Sequence, residues 1–337
     1  MLRVVENELL AVPQDWCRTV RSLCSEKRGL KAWFETQRPD CVIFVGDRTT
    51  KAFGHWSERT FGLVSDKLVY GFSEEEVLEL SKPEGVEGSR VLGLFLSRKG
   101  GSKRSVEALE KIATWSSDFS SFSLSSQKGE LTKRVDRQFL LEPSEHTGTL
   151  TFTPTRFLVA CMTICSIVSQ RETLCKRAEL LANWYSGPSQ SLLFELAASL
   201  SREVAICAPS RLHAHCVSLA WLLEEELGQH CPILETRDLQ SPVSGRLIFG
   251  IPAKATEESD LESFAALEKA GHSIVAFSSH KSKTLDRQIK LSRRTTDIGR
   301  NIHAALVLQH IFLYRKSYLA SSRNKIVSVG EEKLAKL

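Results

Sequence analysis

The sequence predicts an α/β protein with two parallel sheets, one in each half of the chain, each flanked by helices. Two observations support this prediction. Short apolar runs alternate with amphipathic segments in both halves, which is the pattern of βαβ units. The 337 residues are also more than a single hydrophobic core usually organises. A Gly-Pro break at residues 187–188 predicts two domains, residues 1–188 and residues 189–337.

Two apolar runs, Cys41–Val45 and Val91–Leu96, and two further candidate segments, Asp118–Leu124 and Arg137–Leu141, predict the strands of the first sheet. The first two runs are continuously apolar, which is typical of parallel strands that are buried on both faces. Helical spacing of apolar residues over Val106–Trp115 predicts a helix after the second run. We therefore expect strands that end in a turn and lead into a helix.

The second half repeats this pattern. Strands are predicted at Val204–Cys207, Arg246–Ile251 and His272–Phe277, and helices at Val217–Leu227, Glu258–Gly271 and Asp297–Leu319. The segment that joins the halves, residues 157–200, has a mostly helical pattern on both sides of the Gly-Pro break. These elements predict a second parallel sheet of the same kind.

The composition disfavours several classes of protein. The longest apolar stretch, Phe157–Val168, is shorter than the roughly 20 residues of a membrane span, and the N-terminus lacks the pattern of a signal peptide. The nine cysteines are scattered and form no CxxC pair, which predicts reduced core thiols. His213, His215 and Cys216 cannot all face one ion from a helix, so no metal site is expected. We expect a cytoplasmic protein.

The positive charge is mild. A net charge of +5 suits an anionic small ligand as well as a nucleic acid. The densest basic stretch, Lys281–Arg300, carries apolar residues at helical spacing instead of aromatic residues that stack on bases. This stretch predicts a solvated helix face, and nucleic-acid binding is disfavoured.

The first of two polar turns follows the strand predicted at Cys41–Val45. Ligands of open parallel sheets bind at the carboxyl ends of the strands, where helix N-termini supply free N–H groups. This turn contains Gly46, Thr49 and Thr50. Phosphate binding is one use of these hydroxyls, and capping of the next helix is the more common one.

The second polar turn spans Ser97–Ser105 and combines three hydroxyls, two glycines and four cations. Hydroxyls, unpaired N–H groups and cations are together what a phosphate monoester requires, and helix capping explains only one of the hydroxyls. The pattern predicts phosphate binding by Ser97, Lys99, Gly100 and Ser102. It is not a P-loop, because GxxxxGK[ST] is absent.

This second turn reads SRKGGSKRSVEAL and resembles the SRSGNSxESVxA signature of the sugar isomerase (SIS) domain, in the form found in tagatose-6-phosphate ketose/aldose isomerase-like proteins. VGDRTTKAFG resembles the family's GxGTSxxxxG turn, and SSQKGEL resembles its CNxxGxL segment. The resemblance covers nearly the whole chain and is most specific in the first half. It implies two tandem SIS domains (Rossmann-like, three-layer αβα, parallel sheets), a sugar-phosphate ligand, a homodimer and no cofactor.

The resemblance also implies a carboxylate base that moves a proton between C1 and C2 of an open-chain sugar. Alignment from the upstream turn selects Glu225 as this base, and alignment from Gly228 selects Glu224. The alternative is that these glutamates have no catalytic role and are solvated residues at the end of a helix. The family's His-Gly-Pro, whose histidine opens the sugar ring, is absent. His230 is the candidate substitute, and Lys325 lies two positions short of the C-terminal lysine of glucosamine-6-phosphate synthase.

Two functions remain open from the sequence. The family implies an aldose–ketose isomerase, or an amino-sugar-phosphate deaminase or deglycase, that acts through an enediol or enolamine. The missing His-Gly-Pro fits a second function, a catalytically inactive sugar-phosphate sensor or scaffold that kept the SIS fold. The second half also has Ala208-Pro209-Ser210 where the family has a glycine-rich turn.

Overall fold

The computed structural model describes residues 2–47, 50–62, 66–141, 153–168, 189–200, 203–235, 246–293, 295–297, 299–312 and 314–315. The chain divides into two compact units, residues 11–184 and residues 1–10 with 185–337. The boundary that the sequence predicts at residue 188 lies outside the described residues and stays a prediction.

The unit of residues 11–184 is built on a five-stranded sheet. Its strands are β1 (Cys41–Gly46), β2 (Leu68–Ser73), β3 (Val91–Ser97), β4 (Phe119–Ser125) and β5 (Arg137–Leu140). They are all parallel and lie in the order β2-β1-β3-β4-β5. Helix α1 (Leu2–Ser25) belongs to this unit from residue 11 onward. The other helices are α2 (Lys27–Gln37), α3 (Lys51–Gly62), α4 (Glu74–Glu79), α5 (Lys103–Ala113) and α6 (Thr153–Val168), with a 3-10 turn at Leu131–Lys133.

Helices cover both faces of this sheet. On one face, Ile43 of β1 and Phe95 of β3 pack in one buried cluster with Leu109 of α5. On the other face, the ring of Phe44 lies 5.7 Å from the ring of Phe61 in α3. Strands β1 and β3 are therefore buried along their whole length, as their continuous apolar sequences predict.

The second unit has a sheet of the same kind. Its strands are β6 (Val204–Cys207), β7 (Ile233–Leu234), β8 (Leu247–Gly250), β9 (Ser273–Ser278) and β10 (Gln288–Lys290). They are parallel and lie in the order β10-β9-β8-β6-β7. The helices are α7 (Gln190–Ser199), α8 (Ser210–Leu227), α9 (Glu257–Lys269) and α10 (residues 299–312), with a 3-10 turn at Lys254–Thr256.

Both faces of the second sheet are also covered. Phe249 and Phe277 belong to the buried cluster that includes side chains of α8 and α10. Ile248 and Ile274 point to the opposite face and pack with Phe264 of α9. The predicted fold class, α/β with two parallel sheets, is confirmed.

The strand order places one switch point in each sheet. In the first sheet, β1 lies between β2 and β3, so its two neighbours are reached by connections in opposite directions along the sheet. In the second sheet, β6 occupies the equivalent place between β7 and β8. Crevices at such points are where open α/β sheets bind ligands.

The predicted strands are all present, and their ends agree with the observed ends to within one residue. Strands β2, β7 and β10 were not predicted, and α8 begins at Ser210 instead of Val217. The predicted helix face over Lys281–Arg300 is wrong, because β10 lies within it and Arg300 is fully buried. None of the described helices is both long enough and apolar enough to cross a membrane.

Most of the described cysteines lie in the cores, as predicted. They are Cys41, Cys161, Cys165, Cys207, Cys216 and Cys231. Burial raises the pKa of Cys41 and Cys161 to about 12. Cys17 and Cys24 are only half-buried, so the expectation of core thiols is wrong for these two, and Cys175 lies outside the described residues.

Candidate functional site

The two polar turns meet at the switch point of the first sheet. Gly46 at the end of β1 pairs with Leu96 near the end of β3. The amide of Asp47 donates to the Leu96 carbonyl over 3.1 Å, and Thr50 Oγ1 donates to the same carbonyl over 2.6 Å. The turn after β1 is therefore bound directly to the end of β3.

Asp47 joins the hydroxyls of the two turns. Its Oδ2 accepts a hydrogen bond from Ser97 Oγ at 2.7 Å, and its Oδ1 accepts one from Thr50 Oγ1 at 3.1 Å. Ser97 Oγ also accepts the amide of Gly101 at 2.6 Å. Ser97 and Thr50 are each 1% exposed. Asp47 was not among the predicted site residues, although it is the first polar residue after a strand at a switch point.

The glycines of the second turn are required by packing against the loop after β4. Gly100 has a φ of 76° and Gly101 a φ of 92°, which favour glycine. A Cβ at Gly100 would lie 2.4 Å from the amide nitrogen of Gly129, and the Gly100 carbonyl accepts the amide of Leu131 at 3.1 Å. The loop after β4 therefore fixes the conformation of the second turn by direct contact.

Helix α5 begins at the end of this turn with a capping box. Ser102 is the N-cap and accepts the amide of Ser105, while Ser105 Oγ accepts the amide of Ser102. Both hydroxyls also donate to the carboxylate of Glu74: Ser105 Oγ lies 2.6 Å and Ser102 Oγ 3.2 Å from Glu74 Oε2. The hydroxyl of Ser102 thus already has an anionic partner within the unit.

Glu74 is a buried acid, 3% exposed, at the first position of α4. Burial raises the pKa of this carboxyl above its ordinary value, and the nearby charges of Asp47 and Glu75 raise it further, although the hydrogen bonds from Ser105 and Ser102 favour the carboxylate. Glu74 was not predicted as a site residue because β2, the strand before it, was not predicted. The capping box of α4, Ser73 with Glu76, is the signal that marks this strand-to-helix junction.

The cations of the second turn differ in their partners. Lys103 lies 3.5 Å from Glu107, and Arg104 lies 3.5 Å from Glu75. Lys99 is exposed and forms no ion pair within the part of the chain that the structure describes. Lys99 therefore differs from Lys103 and Arg104, which each lie close to a glutamate.

The proposed base residues lie at the end of α8. Glu224 Oε1 accepts hydrogen bonds from His230 at 2.6 Å and from the amide of Cys231 at 3.0 Å. These bonds close the loop that follows the left-handed C-cap at Gly228. Glu225 is part of the helix, but its side chain is not among those that the structure describes.

Thr49 and Lys325 also lie outside the described residues. In the second unit, the turn after β6 is closed by His213, whose ring nitrogen Nε2 lies 2.9 Å from the Ala208 carbonyl oxygen. No cluster of three or more His, Cys, Asp or Glu side chains that would hold a metal occurs among the residues described.

A second buried polar cluster lies at the carboxyl ends of β8 and β9. Glu257 accepts hydrogen bonds from Ser279 Oγ at 2.6 Å and from Arg300 Nη2 at 2.6 Å, and it also accepts the amide of Ser279. His280 Nδ1 lies 3.0 Å from Glu257 Oε2, and Arg300 Nη1 donates to the Pro252 carbonyl over 3.1 Å. The cluster ties three chain segments together.

Burial opposes the charge of Glu257, but the hydrogen bonds from Arg300 and Ser279 outweigh it and hold the pKa of this carboxyl at about 2. This cluster was not predicted from the sequence. Its members are far apart in the chain and match no motif.

Comparison with known proteins gives matches in structure only. No protein-family model matches the chain, and no curated protein matches it. Among solved structures, tagatose-6-phosphate ketose/aldose isomerase from Escherichia coli superimposes with a TM-score of 0.71 at 15% identity, over 94% of each chain. The chain has the double SIS-domain fold.

Two further solved structures have a similar fold. The C-terminal domain of glucosamine-fructose-6-phosphate aminotransferase from Francisella tularensis gives a TM-score of 0.71 at 14% identity, over 93% of this chain and 96% of that one. Glucosamine-6-phosphate deaminase from Thermotoga maritima gives a TM-score of 0.62 at 13% identity, over 89% and 94%. The SIS resemblance read from the two turns is thus confirmed at the level of the fold.

Proposed function

We propose that this double-SIS protein binds a phosphosugar and acts on it as an aldose–ketose isomerase or an amino-sugar-phosphate deaminase. The observation that carries the proposal is the junction of Ser97, Asp47 and Thr50 at the switch point of the first sheet. It lies where open parallel sheets bind ligands, in a fold shared with an isomerase, an aminotransferase domain and a deaminase of sugar phosphates.

The phosphate would lie over the turn Ser97–Ser105, at the N-terminus of α5. Helix N-termini favour anions through their free N–H groups and their dipole, and Lys99 supplies an exposed cation without an ion pair among the described residues. Ser97, Lys99, Gly100 and Ser102 from this turn, with Gly46, Thr49 and Thr50 from the other, form the proposed phosphate site.

Glu225 is the proposed base. Abstraction of a proton next to a carbonyl needs a general base within hydrogen-bond reach, and the family resemblance implies that this base is a carboxylate. Glu224 already accepts bonds from His230 and from the Cys231 amide, which favours Glu225 of the two candidates. His230 is the proposed group for ring opening, and Lys325 is a further candidate catalytic residue. A homodimer is proposed from the family resemblance.

A thermal-shift panel of hexose and amino-hexose 6-phosphates tests this proposal, with inorganic phosphate and the free sugars as controls. A ligand at about 100 times its Kd adds roughly 2.7 kcal/mol to the free energy of unfolding, which raises Tm by several degrees. We expect a selective shift with one phosphosugar. No shift with any phosphosugar would contradict the proposal.

A turnover assay with the ligand that gives the shift then separates the activities. An isomerase converts an aldose phosphate to its ketose without releasing ammonia, whereas a deaminase releases one ammonia per sugar. Binding without either product would instead fit the inactive sensor or scaffold.

A further inference from the structure

The hydroxyl groups at the start of α5 are held by a buried carboxylate. Ser105 Oγ and Ser102 Oγ both donate to Glu74 Oε2, at 2.6 and 3.2 Å. Glu74 is 3% exposed, and no cation among the described residues forms an ion pair with it. The carboxylate therefore makes the contacts with Ser102 that a bound phosphate would make.

A phosphate in this turn would place its charge close to that of Glu74. Like charges at short distance in a medium of low dielectric repel strongly, and the usual result is that one of them takes up a proton. A phosphate monoester is a dianion well above its second pKa of about 6. Glu74 is then the group that must lose its charge.

The groups that face Glu74 favour this outcome. Asp47, from the turn after β1, and Glu75, on α4 itself, are negative and disfavour a second anion beside them. Arg104 of α5 lies 3.5 Å from Glu75 and is directed to that carboxylate. Ser102 and Ser105 are the neutral donors, and burial already raises the pKa of Glu74.

We propose that Glu74 couples phosphate binding to the uptake of one proton from solvent. In the free protein Glu74 is an anion that accepts from Ser102 and Ser105; in the complex it is a neutral acid, and the hydroxyl of Ser102 turns to the phosphate. This inference rests on the proposed function, since it needs a phosphate in the turn Ser97–Ser105. The coupling makes the site bind phosphate more tightly at lower pH.

Calorimetric titration with fructose 6-phosphate and with glucose 6-phosphate tests the coupling. At pH 8, where both phosphates are dianions, the apparent binding enthalpy is measured in two buffers that differ in ionisation enthalpy. We expect uptake of close to one proton per ligand, and an affinity that falls about tenfold per pH unit above the pKa of Glu74. Both quantities, the proton uptake and the pH dependence of the affinity, are measured on the wild-type protein and need no variant.

Two variants complete the experiment. Glu74→Gln keeps acceptor and donor atoms beside Ser105 but carries no charge, so it is expected to bind at least tenfold more tightly at pH 8, with no proton uptake. Glu79→Gln, at the exposed end of the same helix, removes the same charge and is expected to bind as the wild type does.

Failure of the inference and failure of the proposed function give different results. Wild-type binding with no proton uptake and no pH dependence overturns the inference and leaves the proposed function standing. Equal affinities of the wild type and Glu74→Gln at pH 8 do the same. Absence of binding in the wild type and in Glu74→Gln at any pH tested, together with no thermal shift across the whole phosphosugar panel, overturns both.

Discussion

Arg300 Nη2 donates a hydrogen bond to Glu257 Oε2 over 2.6 Å, and the two side chains are 0% and 3% exposed. This buried ion pair connects α10 to the first residue of α9. Ser279 and His280, which follow β9, contact the same carboxylate. The pair is therefore the centre of the polar cluster that holds the carboxyl edge of the second sheet together.

Removal of one partner of this pair is expected to destabilise the protein strongly. Arg300→Met leaves the Glu257 charge buried without its cation, and breaking such a pair costs about 3–5 kcal/mol. Arg246→Met is the control, because its partner Glu203 is 71% exposed and exposed pairs contribute about 0–1 kcal/mol. Urea denaturation measures both; equal losses would show that the buried pair has no special role.

The contribution of Glu257 is also expected to depend on pH. Its pKa is lowered from 4.5 to about 2, so the stabilisation is fully present above the unfolded-state pKa and is lost as the pH falls through about 2. The difference in free energy of unfolding between the wild type and Glu257→Gln is expected to shrink between pH 5 and pH 2. A difference that stays constant over this range would contradict the assignment.

Gly100 is expected to be indispensable to the second turn. In Gly100→Ala the Cβ would lie 2.4 Å from the Gly129 amide nitrogen, at a φ of 76°. Gly88→Ala is a matched control, since Gly88 has a φ of 73° but no atom of a described residue lies within 4 Å of its added Cβ. We expect a loss of about 1–2 kcal/mol for Gly88→Ala and a larger one for Gly100→Ala, from thermal unfolding.

The same two variants are expected to differ in ligand binding. Gly100→Ala moves the turn away from the loop at Gly129, so the phosphosugar should no longer raise its Tm. Gly88→Ala should keep the full shift, because Gly88 lies outside both turns. A normal shift in Gly100→Ala would show that this turn does not hold the phosphate.

Glu225→Gln is expected to abolish turnover and to leave binding nearly unchanged, because the amide keeps the shape of the side chain but cannot accept the proton. Steady-state kinetics and the thermal shift together measure this. Glu224→Gln is the comparison: it weakens the bonds to His230 and to the Cys231 amide, so its expected effect is on stability. Turnover lost in Glu224→Gln and kept in Glu225→Gln would exchange the two roles.

The sequence predicts the centre of each sheet well and its edges poorly. Strands β1 and β3 are buried on both faces and are continuously apolar, so their sequence alone identifies them. Strand β2 is an edge strand with a half-buried pattern and an internal glycine, and β10 has only three residues. Such strands are determined by the neighbour with which they pair.

The residues of the candidate site likewise fall into those that could be predicted from the sequence and those that could not. The turns after β1 and β3 could be predicted because each follows a recognisable strand. Glu74 follows β2, and it was not predicted because that strand was not predicted. The link between Glu257 and Arg300 joins residues 43 positions apart, and no local pattern in the sequence encodes such a contact.

The distribution of the cysteines has a practical consequence for labelling. Thiolates, not thiols, attack maleimides and oxidants, and burial makes the thiolates of Cys41, Cys161 and Cys216 hard to form. Among the described cysteines, Cys17 and Cys24 on α1 are the ones with solvent contact. Helix α1 is therefore the place where a fluorophore or spin label can be attached without first removing the cysteines of the cores.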